Sequence, residues 1–495
     1  MTGCGLVFIK YKVIIMKNSV AIIYSTYNFK NLDGTVEKGG SLPPVSVEDR
    51  FYPPLGLLYL VAVLKQRNID VSFLDVTFLR DWLAAIKNII LRENPMVVGV
   101  YVSTLNLPLT RAIIAQIRNL SPETTVVIGG PHVHFEPDCV NYLNADYGIV
   151  SDGEFAFAEL VDAIFNKSDL SDIPNLVRKN GKAVFVNRLQ TIENLDILPF
   201  PAREYWPYKI FSGLLCGNIA SVLGSRGCTF NCAFCATPQR GQIRVRSVKN
   251  IIEELKYLSS SGVNYIDFID DAMTVDRGRM ENLCGEIIKQ RLKVKWACMS
   301  RIDMMDKQLL SLMKRANCTH VKYGIESGSE RVRNELMRKH ITTYQIEKVL
   351  KESRQAGLAT VAYFILGMPG ETKDEIEQTI KFSRSKDIDY VEFRLAMLFP
   401  GSGMFNEAVQ ANKVPADLWR NFTNGGKFLY SILDEQTLIR MKTLRAQAMK
   451  QHYLNIPFIF KEITMRTRSI SSLFNKIKIL LCKKYNSYLS CKIIK

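Results

Sequence analysis

The sequence lacks any run of eighteen consecutive apolar residues, and no small-residue cleavage site follows the apolar stretch of its first fifteen residues. The first absence predicts that there is no transmembrane helix, and the second argues against a secretory signal. We therefore expect a cytoplasmic protein, in which the 11 cysteines are reduced and serve as thiols or metal ligands. Residues 1–17 are expected to be an extension with no role in the fold.

Acidic residues are in short supply: 48 Asp and Glu face 65 Lys and Arg, which gives a net charge of +17. Nine of these basic residues, against a single Glu, lie between residues 461 and 495. The rest of the chain is therefore only mildly basic, and we expect no nucleic-acid partner. The tail fits two interpretations equally, a basic amphipathic segment on an anionic membrane surface or a solvated, partly disordered end. Its interleaved apolar residues are Leu473, Phe474, Ile477, Ile479, Leu480 and Leu481.

With 495 residues, of which 47% are hydrophobic, the chain is long enough for two or three globular domains. Residues 18–165 alternate short apolar strands with amphipathic helices in five units, which predicts a doubly wound, Rossmann-like α/β domain. Ligands of such sheets bind beyond the carboxyl ends of the strands. The loops at those ends contain Ser103-Thr104, Gly129-Gly130-Pro131 and Ser151-Asp152-Gly153-Glu154.

The second half of the chain repeats the strand–helix alternation. Residues 166–215 are predicted to be a linker that contains a hairpin, turning at Asn180-Gly181. Residues 216–410 show six strand–helix repeats, which predict a partial (β/α)6 barrel of the TIM type with its site at the carboxyl ends of the strands. Residues 411–495 are predicted to be a helical C-terminal region that ends in the basic tail.

Three cysteines, Cys228, Cys232 and Cys235, occur at C-x3-C-x2-C spacing in a loop that follows an apolar strand. Three thiolates can hold three irons of a four-iron cluster, and because no fourth cysteine follows, one iron would stay open. A zinc site would need a fourth ligand. The nearest histidines, His134 and His320, are far away in sequence, so zinc is disfavoured.

The cysteine motif resembles the cluster-binding loop of the radical S-adenosylmethionine (SAM) superfamily. The resemblance implies a 4Fe-4S cluster whose open iron binds SAM, and whose electron cleaves SAM to methionine and a 5′-deoxyadenosyl radical. Residues just past the predicted barrel strands are also similar to the SAM-binding motifs of that family. The resemblance implies that Asp271 and Arg301 lie near the methionine or ribose of SAM, and that Glu326 and Ser327 bind its ribose or amino group. It also implies that the backbone at Gly367 lies close to the adenine.

The strand-end loops of the first domain, together with Pro53-Pro54-Leu55-Gly56, resemble those of a cobalamin-binding domain. One feature departs from that pattern: the Asp-x-His-x-x-Gly motif, which supplies an axial histidine to cobalt in some relatives, is absent. We therefore expect His132 to form local hydrogen bonds instead of binding cobalt. The resemblance implies cobalamin contacts from Ser103, Thr104, Gly129, Gly130, Pro131, Gly153 and Glu154.

Together the two resemblances imply a cobalamin-dependent radical SAM enzyme that methylates an unactivated carbon of a small-molecule or lipid substrate. They also imply a reducing partner such as flavodoxin or ferredoxin. One alternative is a non-methylating, ring-forming or oxidative enzyme that resembles the anaerobic magnesium-protoporphyrin monomethyl ester cyclase. Another, of a different class, is a corrinoid- or metal-binding module without catalysis. A tRNA methylthiotransferase is disfavoured, since only Cys139 and Cys216 lie between Met16 and the motif.

Overall fold

The computed structural model describes residues 17–25, 53–77, 79, 81–206, 218–237, 242–424 and 435–454. They form two α/β units that follow one another along the chain, each built on a mostly parallel sheet. Among these residues no helix combines the length and the apolar character needed to cross a bilayer. The basic tail at 461–495 and all of the predicted extension except Lys17 lie outside the described residues.

Five short strands rich in β-branched residues, which favour extended backbone, form the parallel part of the first sheet. They lie in the order 2-1-3-4-5, so the doubly wound prediction is confirmed. The strands are β1 (Lys17–Tyr24), β2 (Asp70–Asp75), β3 (Pro95–Tyr101), β4 (Thr125–Gly129) and β5 (Tyr147–Ile149).

Helices cover both faces of this sheet: α1 (Leu55–Gln66), α2 (Trp82–Glu93), α3 (Leu107–Leu120), α4 (Pro131–Phe135), α5 (Cys139–Tyr142) and α6 (Glu154–Asn166). Successive strand residues point to opposite sides of the sheet, and because apolar residues are consecutive in these strands, both faces of the sheet are apolar. In β1, Val20 and Ile22 pack with α1 and α6, whereas Ala21 and Ile23 pack with α2 and α3. The carboxyl ends of the strands stay uncovered by these helices and form one edge of the unit.

A hairpin extends the first sheet. Its strands are β6 (Leu176–Asn180) and β7 (Ala183–Val186). Asn180 pairs with Ala183, so the turn is formed by Gly181 and Lys182, one residue later than predicted, with Gly181 at φ 61°. β6 pairs antiparallel with β5, so the sheet has seven strands among the described residues. The hairpin that we predicted within the linker is thus continuous with the first sheet.

The second unit is built on six parallel strands in the order 15-14-13-12-11-8, as the barrel prediction requires. Along the chain, the segment between the first two strands of this sheet forms a separate antiparallel ribbon of β9 (Ser225–Gly227) and β10 (Ile243–Val245). The six strands are β8 (Ile219–Val222), β11 (Tyr265–Phe268), β12 (Lys295–Ser300), β13 (Cys318–Glu326), β14 (Ala359–Leu366) and β15 (Tyr390–Leu395).

Five helices cover one face of this curled sheet: α7 (Val248–Ser260), α8 (Arg277–Lys289), α9 (Lys307–Arg315), α10 (Thr343–Gln355) and α11 (Lys373–Phe382). Their starts follow sequence signals. Ser247 accepts a hydrogen bond from the Asn250 N–H at the start of α7, and Thr372 and Glu375 form the predicted capping box of α11. Cys284 on α8, Cys298 on β12 and Cys318 on β13 are buried in the core between these helices and the sheet, as expected for structural thiols.

The C-terminal part contains α12 (Gly403–Gln410), α13 (Leu418–Thr423) and α14 (Glu435–Tyr453). α12 and α13 share a hydrophobic core with α2 and α3 of the first unit, through Phe405 and Trp419. α14 instead covers the edge strand β15, where the Tyr453 hydroxyl donates to the Val391 carbonyl at 2.7 Å. The C-terminal helices therefore hold the two units together and close one edge of the second sheet.

Candidate active site

Hydrogen bonds hold the cysteine loop in place, both just upstream of it and within it. Upstream, the Gly224 N–H and the Ser225 hydroxyl donate to the two oxygens of Asp270, at 3.0 and 2.5 Å. Within the loop, the Ala233 N–H donates to the Met337 carbonyl at 2.9 Å, and the Ala233 carbonyl accepts from the Met404 N–H at 2.8 Å. These contacts fix the backbone of a loop that has little regular secondary structure.

Cys228, Cys232 and Cys235 are all unbridged thiols. The Cys235 N–H donates to the Cys232 carbonyl at 3.1 Å, so the second and third thiols come from one tight turn. Three thiols on one loop are the donor set of an iron–sulfur cluster with an open iron, and the residues fit that group. Among the described residues, no group of three or more His, Cys, Asp or Glu side chains is arranged to hold a single metal ion.

Two cations stand beside the loop. The Arg301 guanidinium lies 3.6 Å from the centroid of the Phe230 ring, and its Nη1 is 3.7 Å from the Cys232 Sγ. The Lys339 Nζ is 5.9 Å from the Phe234 ring. Burial raises the pKa of the Cys232 thiol, and the charges of Lys339 and Arg301 act in the opposite direction. The two cations therefore favour the negatively charged thiolate that metal binding requires.

Glu326, at the end of β13, has φ 70°, which is rare for a residue other than glycine. Its carboxylate binds the Lys339 Nζ at 2.6 Å in a buried ion pair. Gly324 makes room for this pair, since a Cβ atom there would lie 2.3 Å from the Glu326 Oε1. A strained residue held by its surroundings is typical of a functional site.

The other residues predicted to bind SAM follow neighbouring strands. The Gly367 N–H, after β14, donates to Glu371 at 2.6 Å, and Gly367 has φ 85°. The hydroxyls of Ser327 and Thr379 lie 2.9 Å apart, so Ser327 also anchors α11. Asp271, after β11, faces a cavity, and burial together with neighbouring Asp270 raises its pKa to about 6. The fold thus brings the predicted set to the carboxyl ends of adjacent strands.

A cavity of about 490 Å³ lies between the first unit and the second. Its lining is mainly apolar, and the volume is within the range of roughly 300–1,000 Å³ typical of small-molecule sites. Gly56 has open space where a Cβ atom would lie, so the backbone itself forms part of the wall. An apolar cleft with glycine walls fits a large, flat corrin ring. From the predicted cobalamin set, the wall includes Gly129, Gly130, Pro131, Gly153 and Glu154.

Ser103 and Thr104 have local partners and are not part of the cavity wall. Ser103 caps the short 3₁₀ turn that follows β3, together with Asn106. The Thr104 hydroxyl lies 3.1 Å from the Nδ1 of His132, whose Nε2 is 2.8 Å from the Tyr142 hydroxyl. Burial lowers the pKa of His132 to about 3. His132 is therefore a buried, neutral residue held by local hydrogen bonds, as the sequence predicted.

Some cavity residues were missed by reading the sequence. His134 lines the wall, and its Nδ1 accepts a hydrogen bond from the Ser151 N–H at 3.2 Å. Asp152 and Arg226 also line it, and they bind each other at 2.9 Å. Burial alone would raise the pKa of Asp152, but the nearby guanidinium groups of Arg244 and Arg226 hold that pKa below its usual value. A carboxylate beside the predicted Gly153-Glu154 pair was the available signal.

Comparisons with known proteins match both units. The family model described as the Radical SAM superfamily matches residues 222–383, and the one described as the B12 binding domain matches residues 47–161. The uncharacterized methyltransferase PH0819 of Pyrococcus horikoshii is 31% identical over 424 residues, which cover 83% of this chain and 90% of that protein.

Two further relatives have named activities. The cytidylyl-2-hydroxyethylphosphonate methyltransferase of Streptomyces wedmorensis is 25% identical over 451 residues, covering 79% of this chain and 82% of that protein. The anaerobic magnesium-protoporphyrin IX monomethyl ester cyclase of Rubrivivax gelatinosus is 26% identical over 370 residues, covering 72% and 66%.

The fold also matches that of the radical SAM methyltransferase TsrM from Kitasatospora setae, solved with cobalamin and a [4Fe-4S] cluster. The TM-score is 0.65 at 21% identity, covering 80% of this chain and 78% of that one. Domain order, cysteine loop and relatives agree, and the chain belongs to the cobalamin-dependent enzymes of the radical SAM superfamily, with 4Fe-4S, SAM and cobalamin as its cofactors.

Proposed function

We propose that this protein transfers a methyl group to an unactivated carbon of a small-molecule substrate. The observation that carries the proposal is the shared cavity, whose wall combines the strand ends of the first unit with Asp271 and the entry to the cysteine loop. A cofactor in this cavity would face the barrel residues predicted to bind SAM. Methyl transfer needs such proximity, because the methyl donor and the activated carbon must meet.

The residues of the chain hold and orient the reactants. Cys228, Cys232 and Cys235 supply the thiolates, and Arg301 and Lys339 balance their charge. Glu326 offers a carboxylate that suits the ammonium and hydroxyl groups of SAM. When bound, the cluster supplies the electron that cleaves SAM, and cobalamin supplies a transferable methyl group. The apolar cavity wall excludes water, which protects reactive species from side reactions.

The cofactor content is the first test. Protein purified without oxygen and reconstituted with iron, sulfide and hydroxocobalamin should hold about four irons and about one cobalt per chain. Iron without cobalt would keep the radical chemistry but overturn methyl transfer through cobalamin. Protein that binds neither iron nor cobalt would contradict both the radical chemistry and the methyl transfer.

The second test follows the methyl group. The reconstituted enzyme is incubated with a reductant, methyl-deuterated SAM and either the water-soluble or the lipid fraction of a cell extract. We expect a product carrying the label in the water-soluble fraction, found by mass spectrometry. 5′-Deoxyadenosine formed without any labelled product would contradict methyl transfer.

A ring-forming or oxidative reaction is the second candidate, and the relationship to the magnesium-protoporphyrin cyclase favours it. It predicts a product whose mass differs from that of the substrate but that contains no deuterium from SAM.

We also propose that a protein such as flavodoxin or ferredoxin reduces the cluster, and that the basic tail gives access to a lipid substrate. These partners are tested by comparing turnover with flavodoxin and with dithionite, and by vesicle binding of the full chain and of a chain ending at residue 460.

A further inference from the structure

Four charged side chains join the two units at the edge of the cavity. Asp152, Glu154 and Arg244 are buried, and Arg226 is partly buried. Arg226 donates from Nη1 to the Asp152 Oδ1 at 2.9 Å, and its Nη2 lies 2.5 Å from the Glu154 Oε1. Arg244 binds the other oxygen of Asp152. Arg226 and Arg244 are directly opposite each other in the β9–β10 ribbon, so both guanidinium groups point to the same face. Two carboxylates from the first unit thus neutralise two arginines from the second.

The burial of this group makes it sensitive to the loss of any member. Asp152 and Glu154 are each 4% exposed, and Arg244 is 6% exposed. In such surroundings, removal of one partner leaves an uncompensated charge, which is strongly unfavourable. The guanidinium of Arg226 also lies over the ring of Tyr59 in α1, at 5.6 Å. Arg226 is therefore held by three side chains of the first unit.

The neighbouring residue is held by the other unit. Ser225 donates to Asp270, which follows β11 of the barrel, while Arg226 binds the loop after β5 of the first unit. Consecutive strand residues point to opposite sides, so this short strand is clamped between the units. Two residues further along the chain comes Cys228. A shift of the loop around Asp152 therefore moves Arg226, which is connected to the first cysteine through Gly227 alone.

We propose that Arg226 is a positioning residue that fixes the cysteine loop to the wall of the cavity, so that a ligand filling the cavity restrains the cluster-binding cysteines. Asp152, Glu154 and Arg226 all line that cavity. A ligand that presses on the loop of Asp152 and Glu154 acts directly on the partners of Arg226. The proposal depends on the proposed function only for the identity of the ligand, cobalamin.

The test compares Arg226→Lys with Arg67→Lys. Arg67 forms an exposed ion pair with Asp162 of α6, and neither residue is part of the cavity wall. A lysine is a point charge and cannot bind two carboxylates as a guanidinium fork does. Hydrogen–deuterium exchange is measured on cluster-loaded, cobalamin-free protein. In Arg226→Lys we expect residues 151–154 and 225–235 to exchange about tenfold faster than in the wild type, with no change in Arg67→Lys. Unchanged exchange in either segment would overturn the proposal.

Glu154→Gln is the second variant, in case Arg226→Lys does not fold. It keeps the bond between Arg226 and Asp152 and removes only one of the two carboxylates. We expect faster exchange in the same two segments, by about threefold. Faster exchange restricted to residues 151–154 would show that the two loops are not joined through Arg226 and would overturn the proposal.

The last arm adds hydroxocobalamin. Wild type and Arg67→Lys should become protected both at residues 129–131 and at residues 225–235. Arg226→Lys should be protected only at residues 129–131, and its kcat should fall about tenfold with little change in the KM for SAM. Protection of residues 225–235 in Arg226→Lys equal to that of the wild type would overturn the proposal. If the wild type takes up no cobalt, the proposed function fails, while the exchange in cobalamin-free protein still decides the role of Arg226.

Discussion

Gly401 and Phe135 are in contact across the boundary between the two units. Gly401 follows β15 with φ 81°, and a Cβ atom placed on it would lie 2.1 Å from the ring of Phe135. Phe135 ends α4, the short helix that begins at Pro131 beside the cavity. A glycine is required here both by its backbone conformation and by the close approach of the ring. The contact therefore sets how closely the first unit sits on the barrel.

Replacing Gly401 by alanine should lower the temperature of unfolding more than backbone strain alone can explain. We expect a decrease of about 4–8 °C, because the phenyl ring must move as well. Differential scanning calorimetry measures it. Gly262→Ala is the matched control, since Gly262 has φ 85° but its Cβ would lie 3.6 Å from the nearest atom. Equal decreases in the two variants would show that the contact with Phe135 contributes nothing.

Much of this architecture could be predicted because the signals are local. Apolar runs such as Val97–Val102 predict strands by themselves. Because ligands of such sheets bind beyond the carboxyl ends of the strands, Gly129, Gly130 and Asp271 are then expected at the carboxyl edges of their sheets. The cysteine spacing is equally local. Chemistry that depends on residues close in sequence is therefore readable before the structure is known.

Pairs between distant residues left no such signal. Asp152 and Arg226 are 74 residues apart, and nothing in either neighbourhood indicates that they bind. Lys339 lies in an irregular loop, so its ion pair with Glu326 was equally invisible. Hydroxyl groups are ambiguous for another reason. Thr104 could contact a ligand or a neighbouring side chain, and in the structure its partner is His132.

Loss of one cluster cysteine should remove iron without unfolding the protein. Cys232→Ala leaves two thiols on the loop, so we expect bound iron to fall from about four to below about one per chain. Iron analysis and the visible absorption spectrum measure this. Cys284→Ala is the control, since Cys284 is a buried thiol of α8. Similar iron loss in Cys284→Ala would mean that the decrease reflects general destabilisation.

Neutralising Glu326 should weaken SAM binding. In Glu326→Gln, Lys339 loses its carboxylate partner and SAM loses a charged acceptor, so we expect the Kd for SAM to rise about 10- to 100-fold. Anaerobic calorimetric titration of cluster-loaded protein gives the Kd. Gly324→Ala should have a similar effect, because its Cβ would collide with the Glu326 carboxylate. The control is Glu281→Gln, which changes an exposed side chain of α8, and an unchanged Kd in Glu326→Gln would contradict the assignment.

Glu371 gives the protein a pH-dependent stability. Its Oε2 accepts hydrogen bonds from the N–H groups of Gly367 and Met368, at 2.6 and 3.0 Å. Burial raises its pKa from 4.5 to about 7, and the two hydrogen bonds only partly oppose this. Between pH 4.5 and pH 7 the folded state therefore binds more protons than the unfolded state. The stability that protonated Glu371 contributes is complete below about pH 4.5 and is lost as the pH rises through about 7.

Glu371→Gln should remove this dependence, because glutamine keeps an acceptor for the two N–H groups and cannot ionise. On going from pH 5 to pH 8, we expect the wild type to lose roughly 2.5 kcal/mol of unfolding free energy relative to the variant. Urea unfolding of both proteins at intervals of half a pH unit measures the difference. Glu281→Gln, which removes an exposed carboxylate from α8, is the control for the loss of one charge. Parallel curves for Glu371→Gln and the wild type would show that Glu371 is ionised throughout this range, and the raised pKa at the end of β14 would be wrong.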